Sequence, residues 1–223
     1  MPTDRSNFMP QAAVVEIGSR DKILDAAEAL FSRRGFAGVG MREVAEAAGL
    51  GKSSLFHHFT SKAELYAAVV GRILDLFDER TTAALAAGGD VVARFDRWLD
   101  AMIDTLATHR NSSRLLLRSL FEDDELTGIS QEEQRVDQTM QRLFTNIARL
   151  LREGMESGVF RRASIPHALQ SLVGLTIYHF ASGELGEEIT GRSLFGSEEV
   201  RTRKEEVKSL LHGGLLVAQH PRA

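Results

Sequence analysis

Apolar side chains recur along this chain at three- and four-residue intervals, in one segment after another, with glycine or polar clusters between the segments. That period is the signature of amphipathic α-helices. The first segment covers residues 19–34, with Ile23, Ala27, Leu30 and Phe31 on one face, Asp21 in the first turn and Gly35 at its end. A short loop follows, and Gly40 takes the N-cap position of a second, shorter pattern made by Met41, Val44, Ala45 and Ala48. Gly49 breaks it, and Leu50 and Leu55 pin a third. Thr60 and Ser61 then offer a cap to a long helix over 61–86 that carries Leu65, Val69, Ile73, Leu76 and Phe77.

The same period continues over 91–108, where Asp90 is the cap, Val92, Phe95, Leu99, Met102 and Leu106 point inward and Trp98 lies beside that face. A short helix is predicted over 111–121 and a long one over 131–157, with Val136, Met140, Leu143, Phe144, Ile147, Leu150 and Leu151 as its stripe. Pro166 starts a helix to about 183 that is apolar around most of its circumference and so demands cover on more than one side. Residues 185–196 read as a loop, and a last helix over 197–212 aligns Val200, Val207, Leu210 and Leu211. Neither a period-two hairpin pattern nor a fixed repeat occurs, so the predicted fold is all-α. Residues 1–18 read as a disordered arm whose Arg5 could touch a minor groove, although a solvated arm is the plainer reading. The acidic loop at 122–130 lacks calcium-ligand spacing.

Residues 41–62 organise the rest. Small Ala45, the turn glycine Gly49 four residues later and Leu55 six beyond that have the spacing of a helix-turn-helix, in which two short helices meet closely and the second enters a major groove. The net charge of -4 argues against nucleic acid at first sight. Its distribution argues the other way: residues 1–62 hold eight Lys/Arg against seven Asp/Glu (+1), which leaves 19 against 24 (-5) for the remainder.

Other chemistries lack their parts. The chain has no Cys, hence no disulfide, thiolate nucleophile or Cys-based zinc site. The stretch GLGKSS at 49–54 imitates a phosphate loop, but Glu46 stands where its first glycine belongs and no strand precedes it. No G-x-S-x-G, H-E-x-x-H or Glu-x-x-His pair occurs, and His109, His167, His179 and His212 are dispersed, so no catalytic residue, metal or cofactor is expected. The start has no apolar leader, and no apolar run nears the roughly 18 residues of a membrane helix, which makes a cytoplasmic protein the expectation.

The sequence blocks ILDAAEALFSRRGF, MREVAEAAGL and LFHHFTSKAEL, over residues 20–66, resemble the TetR family of transcriptional regulators. The resemblance implies a three-helix DNA-binding domain at 19–66, joined by the long helix to a helical ligand-binding and dimerisation domain at 67–215. It places the recognition helix on Lys52 to His58, where Lys52, Ser53 and Ser54 sit at the helix N-terminus and reach base edges. It also implies that Lys62 contacts phosphate, while His57 and His58 run along the backbone and Arg42 reaches a phosphate or a guanine. Two positions depart from the family pattern. Phe56 stands where Tyr is usual, which keeps an apolar contact and loses a hydroxyl, and Gly40 stands where Thr is common, leaving phosphate capture there to backbone N–H groups.

One reading helix addresses few base pairs, so a homodimer with heads roughly 34–36 Å apart is expected on a palindromic double-stranded operator. Leu169, Leu172 and Val173 with Val207, Leu210 and Leu211 are the expected interface. Trp98, Met102, Arg118, Phe144, Tyr178 and His179 are candidate walls of a pocket for a small, mostly apolar inducer, ordinary core being the other reading for the aromatic and Met members. The expected function is a repressor released by that ligand. The alternative is a helical small-molecule-binding or adaptor protein that has lost DNA reading.

Overall fold

The computed structural model describes residues 18–119 and 130–217. The arm, apart from Gly18, and the acidic loop, apart from Ser130, lie outside the described residues. These hold ten helices: α1 Ser19–Arg34, α2 Met41–Ala47, α3 Lys52–His58, α4 Lys62–Ala86, α5 Val91–Thr108, α6 Arg110–Ser119, α7 Gln131–Glu156, α8 Ile165–Ala181, α9 Glu184–Thr190 and α10 Ser197–Leu215.

Local chemistry sets the boundaries near the helix-turn-helix. Gly49 adopts φ 69°, and Leu50 N–H bonds Ala45 O at 2.9 Å, which ends α2 with a left-handed glycine. At the start of α4, Ser61 Oγ accepts from Glu64 N (3.1 Å) and Glu64 Oε2 accepts from both Thr60 N and Thr60 Oγ1 at 2.7 Å. The α7 start carries a full capping box between Ser130 and Glu133.

Helix α4 is the spine. Its residues 65–71 are buried all round, and it packs against α1, α5, α6 and α7. Phe31 of α1, Phe36 of the following loop and Tyr66 of α4 form an edge-to-face cluster, with centroids 5.1 and 5.3 Å from Tyr66. Charged pairs fix the helix registers: Arg72 of α4 with Asp25 (2.6 Å) and Glu28 (2.7 Å) of α1, and Arg142 of α7 with Asp78 of α4 (3.2 Å). Across α5 and α10, Asp96 with His212 (2.7 Å), Asp100 with Lys208 (2.6 Å) and Asp104 with Lys204 (2.5 Å) make a ladder at four-residue spacing. Pairs of this kind contribute little stability each.

Two expectations need correction. The predicted loop at 185–196 contains α9, whose only large apolar residues, Leu185 and Ile189, point to solvent, so no inward stripe marks it as a helix. The last helix does not stop at His212 but continues through Gly213 and Gly214 to Leu215, because Arg161 N bonds Leu215 O at 2.8 Å and Val217 N bonds Val159 O at 3.0 Å. Among the described residues no helix is long and apolar enough to cross a membrane.

Candidate nucleic-acid interface and ligand cavity

Leu55 and Phe59 are buried and anchor α3, while Ala45 lets α2 approach. That leaves the polar residues of both helices outward. Arg42, Lys52, Ser53 and His57 are exposed, as is Gly40 at the α2 terminus, and Ser54 is half-buried. The Phe56 ring is 39% exposed, and Lys52 Nζ lies 5.3 Å from its centroid, one turn earlier on the same face. An ammonium beside an exposed ring at a helix N-terminus can meet phosphate or a base edge while the ring meets a methyl or sugar.

Two residues assigned to DNA from sequence are already engaged within the chain. His58 Nε2 is 2.8 Å from Ser19 Oγ of α1, and Lys62 Nζ donates to Phe36 O at 3.0 Å while resting 4.1 Å from the centroid of the Phe36 ring. Sequence spacing also missed two organisers. Arg34 binds Glu43 and Gly38 O, tying α1 to α2. Arg20 pairs with Glu132 of α7 at 2.6 Å and lies over the Phe59 ring at 5.3 Å, which joins the far domain to the end of α3.

In the larger domain, five helices enclose an apolar cavity of about 70 Å³. Leu74 and Phe77 come from α4, Trp98 and Met102 from α5, and Leu116 from α6. Met140, Leu143, Phe144 and Ile147 come from α7, and α8 supplies Leu169, Leu172, Val173, Thr176 and Ile177. The single polar wall residue, Thr176, returns its hydroxyl to Leu172 O at 2.8 Å. Trp98, Met102 and Phe144 therefore fall where they were expected. Tyr178, His179 and Arg118 do not: once Leu172, Val173, Thr176 and Ile177 face the cavity, helical phase turns Tyr178 out to solvent and His179 toward α10, and Arg118 lines a separate cleft.

The same phase turns most of the predicted interface residues toward the interior of the chain. Leu169, Leu172 and Val173 are cavity walls, Val207 is core at 1% exposure and Leu211 packs against that core. Of the six, Leu210 alone stands open, at 61%.

His179 is buried, and its Nε2 has no hydrogen-bond partner among the described residues; Glu199 Oε1 is 4.0 Å away. Burial, reinforced by the Arg203 charge, pushes its pKa down to about 4. An unfolded imidazole takes its proton near pH 6.5 and the folded one only near 4, so this group's stabilisation is complete above 6.5 and is lost as pH falls toward 4. His179→Leu is expected to remove up to about 3 kcal/mol of the acid-induced loss of stability in that window. Chemical denaturation of both proteins at pH 7 and pH 4.5 measures the difference.

Residues 23–69 match the family profile of bacterial regulatory proteins, tetR family, and residues 92–210 match that of a tetracyclin repressor-like C-terminal domain. The second match alone spans more than half of the chain, and the chain belongs to the TetR family of bacterial regulatory proteins. It is 35% identical over 108 residues to the HTH-type transcriptional activator FasR of Mycolicibacterium smegmatis, the match covering 48% of each. The chain thus spans about half the length of the curated relatives it matches. In fold it is similar to the ketosteroid transcriptional regulator KstR2 of Mycobacterium tuberculosis, with TM-score 0.72 at 19% identity, covering 93% of this chain and 100% of that one. It is likewise similar to the transcriptional regulator FadR from Bacillus subtilis, solved in complex with stearoyl-CoA, with TM-score 0.66 at 16% identity over 86% and 97% of the two chains.

Proposed function

We propose that the protein is a homodimeric transcriptional repressor that holds a palindromic operator through α2 and α3 and lets go when a small, mostly apolar molecule enters the cavity. It acts in the cytoplasm by binding and not by catalysis. Arg42 and Lys62 anchor phosphate, with the backbone N–H groups after Gly40, while Lys52, Ser53 and Ser54 read bases, Phe56 adds an apolar contact and His57 lies along the strand. His58 supports α3 from behind through Ser19.

The cavity carries this reading. Its walls admit hydrocarbon and offer no charged partner, and its volume of about 70 Å³ is far below the roughly 300 Å³ of an ordinary ligand site. A ligand must therefore push walls apart. Two of those walls, Leu74 and Phe77, belong to α4, whose first turn holds Lys62 against the Phe36 loop. The α7 wall continues to Glu132, and from there through Arg20 to Phe59 at the end of α3. Displacing either wall moves a reading head, and a shift of a few Å in two heads loses register. FadR of Bacillus subtilis, with its bound stearoyl-CoA, supports an acyl-type ligand for this chain as well. Titrating alkyl and acyl ligands into a labelled operator complex tests the reading: release by at least one of them is expected, and a complex indifferent to all of them removes the induction model.

Two variants probe the parts. Lys62→Ala loses its bond to Phe36 O and its place on the ring, so it is expected to unfold about 1–2 kcal/mol more easily. The same variant is expected to weaken DNA binding across all sequences and reduce the salt slope by about 1. Melting curves and anisotropy at several salt concentrations measure both. Glu132→Ala removes the acceptor of the α7 to α1 link and is expected to leave operator affinity within about threefold while lowering the ligand-driven release factor by about threefold or more, read from operator affinity with and without ligand.

A further inference from the structure

Between the reading head and the ligand domain lies a second cleft, of about 330 Å³. Arg33 at the end of α1 and Arg114 and Arg118 of α6 line it, with Ser32, Leu117 and Ala181 completing the wall. Arg33 and Arg114 are exposed and Arg118 is half-buried. Arg20, Arg72, Arg94, Arg142 and Arg192 each pair with a carboxylate. Arg33 and Arg114 do not: among the described residues no carboxylate stands within ion-pair distance of either. Arg33 spends only Nε, donating it to Ala29 O at 3.0 Å.

The backbone makes room for this arrangement. Gly183 sits at φ 58°, and a Cβ there would collide with Nη2 of Arg114, so the glycine lets that guanidinium lie against the chain just after α8. Like charges gathered around one cleft repel, and planar guanidinium forks match oxyanions in geometry. Helix α6 is the partition between the two spaces: Leu116 faces the apolar cavity, and Arg114, Leu117 and Arg118 face the cleft.

We propose that this cleft, walled by Arg33, Arg114 and Arg118, is an anion site for a small molecule bearing a phosphate or similar oxyanion. The anion is either free or the head of an amphiphile whose hydrocarbon chain reaches the apolar cavity across α6. This site is separate from the induction reading, because binding here is measured without DNA.

Isothermal titration of the full-length protein with pyrophosphate, with dodecyl phosphate and with dodecanol tests it. Both anions are expected to bind, with affinity that falls as salt rises. Arg114→Ala is expected to weaken both about tenfold or more, Arg33→Ala likewise, and Arg152→Ala, away from the cleft, not at all. Gly183→Ala keeps every charge yet shifts the Arg114 guanidinium, so it is expected to weaken anion binding by a smaller factor than Arg114→Ala, with melting curves confirming that each variant is folded. Equal affinity for the two anions assigns a free anion. Tighter dodecyl phosphate binding that is eroded by Phe144→Glu, while pyrophosphate is unaffected, assigns the head of an amphiphile. Absence of binding by either anion, or binding that Arg33→Ala, Arg114→Ala and Gly183→Ala all leave unchanged, overturns the proposal. So does loss of DNA affinity in these variants with no anion present, because the arginines then serve the duplex.

Discussion

Phe144→Glu is expected to leave the operator complex intact and to make it nearly deaf to an apolar ligand. Phe144 is 36% exposed at the rim of the cavity, so a carboxylate in its place stays hydrated and the fold tolerates it. An incoming hydrocarbon loses an aromatic wall and must also cover a charge. Each contributes on the order of 1–3 kcal/mol, so ligand affinity is expected to fall by about 30- to 100-fold or more while DNA affinity changes less than about threefold. Operator anisotropy at rising ligand concentration separates the two numbers. An unchanged release midpoint would place the ligand somewhere other than this cavity.

The second large effect concerns the dimer. With Leu169, Leu172 and Val173 turned inward, the face left on α8 is His167, Ser171, Gly174 and Tyr178, the last 53% exposed, beside an α10 that exposes Leu210. The two helices meet where Arg203 donates to Leu175 O at 2.5 Å. We propose that the partner subunit packs on these outer faces. Tyr178→Arg combined with Leu210→Arg adds two exposed charges per subunit without touching the core, so the variant is expected to fold and to run as a monomer. It is expected to bind operator at least about 100-fold more weakly, because the second head no longer benefits from the first. Sedimentation and anisotropy on the same sample check both. A dimer of undiminished affinity would move the interface elsewhere. Leu172→Arg is unsuited to this question, since it buries a charge in the cavity and disrupts the fold itself.

The helices near the reading head were legible because their ends are written locally: Gly35, Gly49 at φ 69°, the Ser61–Glu64 cap and Asp90 each act within a few residues. Helix α9 was not, since its apolar residues face water and periodicity detects only buried stripes. For α8 the pattern correctly demanded cover on more than one side. It could not say that the richer side lines a cavity, because helical phase orders residues around an axis without naming the neighbour each one meets. The exposure of Arg42, Lys52, Ser53 and His57 was legible as well. The engagement of His58 by Ser19, of Lys62 by Phe36 and of Arg20 by Glu132 depends on long-range approach and leaves no mark in local spacing. The gathering of Arg33, Arg114 and Arg118 around one cleft is of the same kind.

All of these parts serve one claim, that two copies of the pair α2 and α3 read a symmetric duplex site. Selection of bound duplexes from a random pool, followed by anisotropy on the enriched sequence at several salt concentrations, tests it most directly. The expected result is a two-fold symmetric motif with half-sites about one helical turn apart, bound with a steep salt dependence that Arg42→Ala flattens. Enrichment of no sequence, or a complex indifferent to salt and to Arg42, would contradict it.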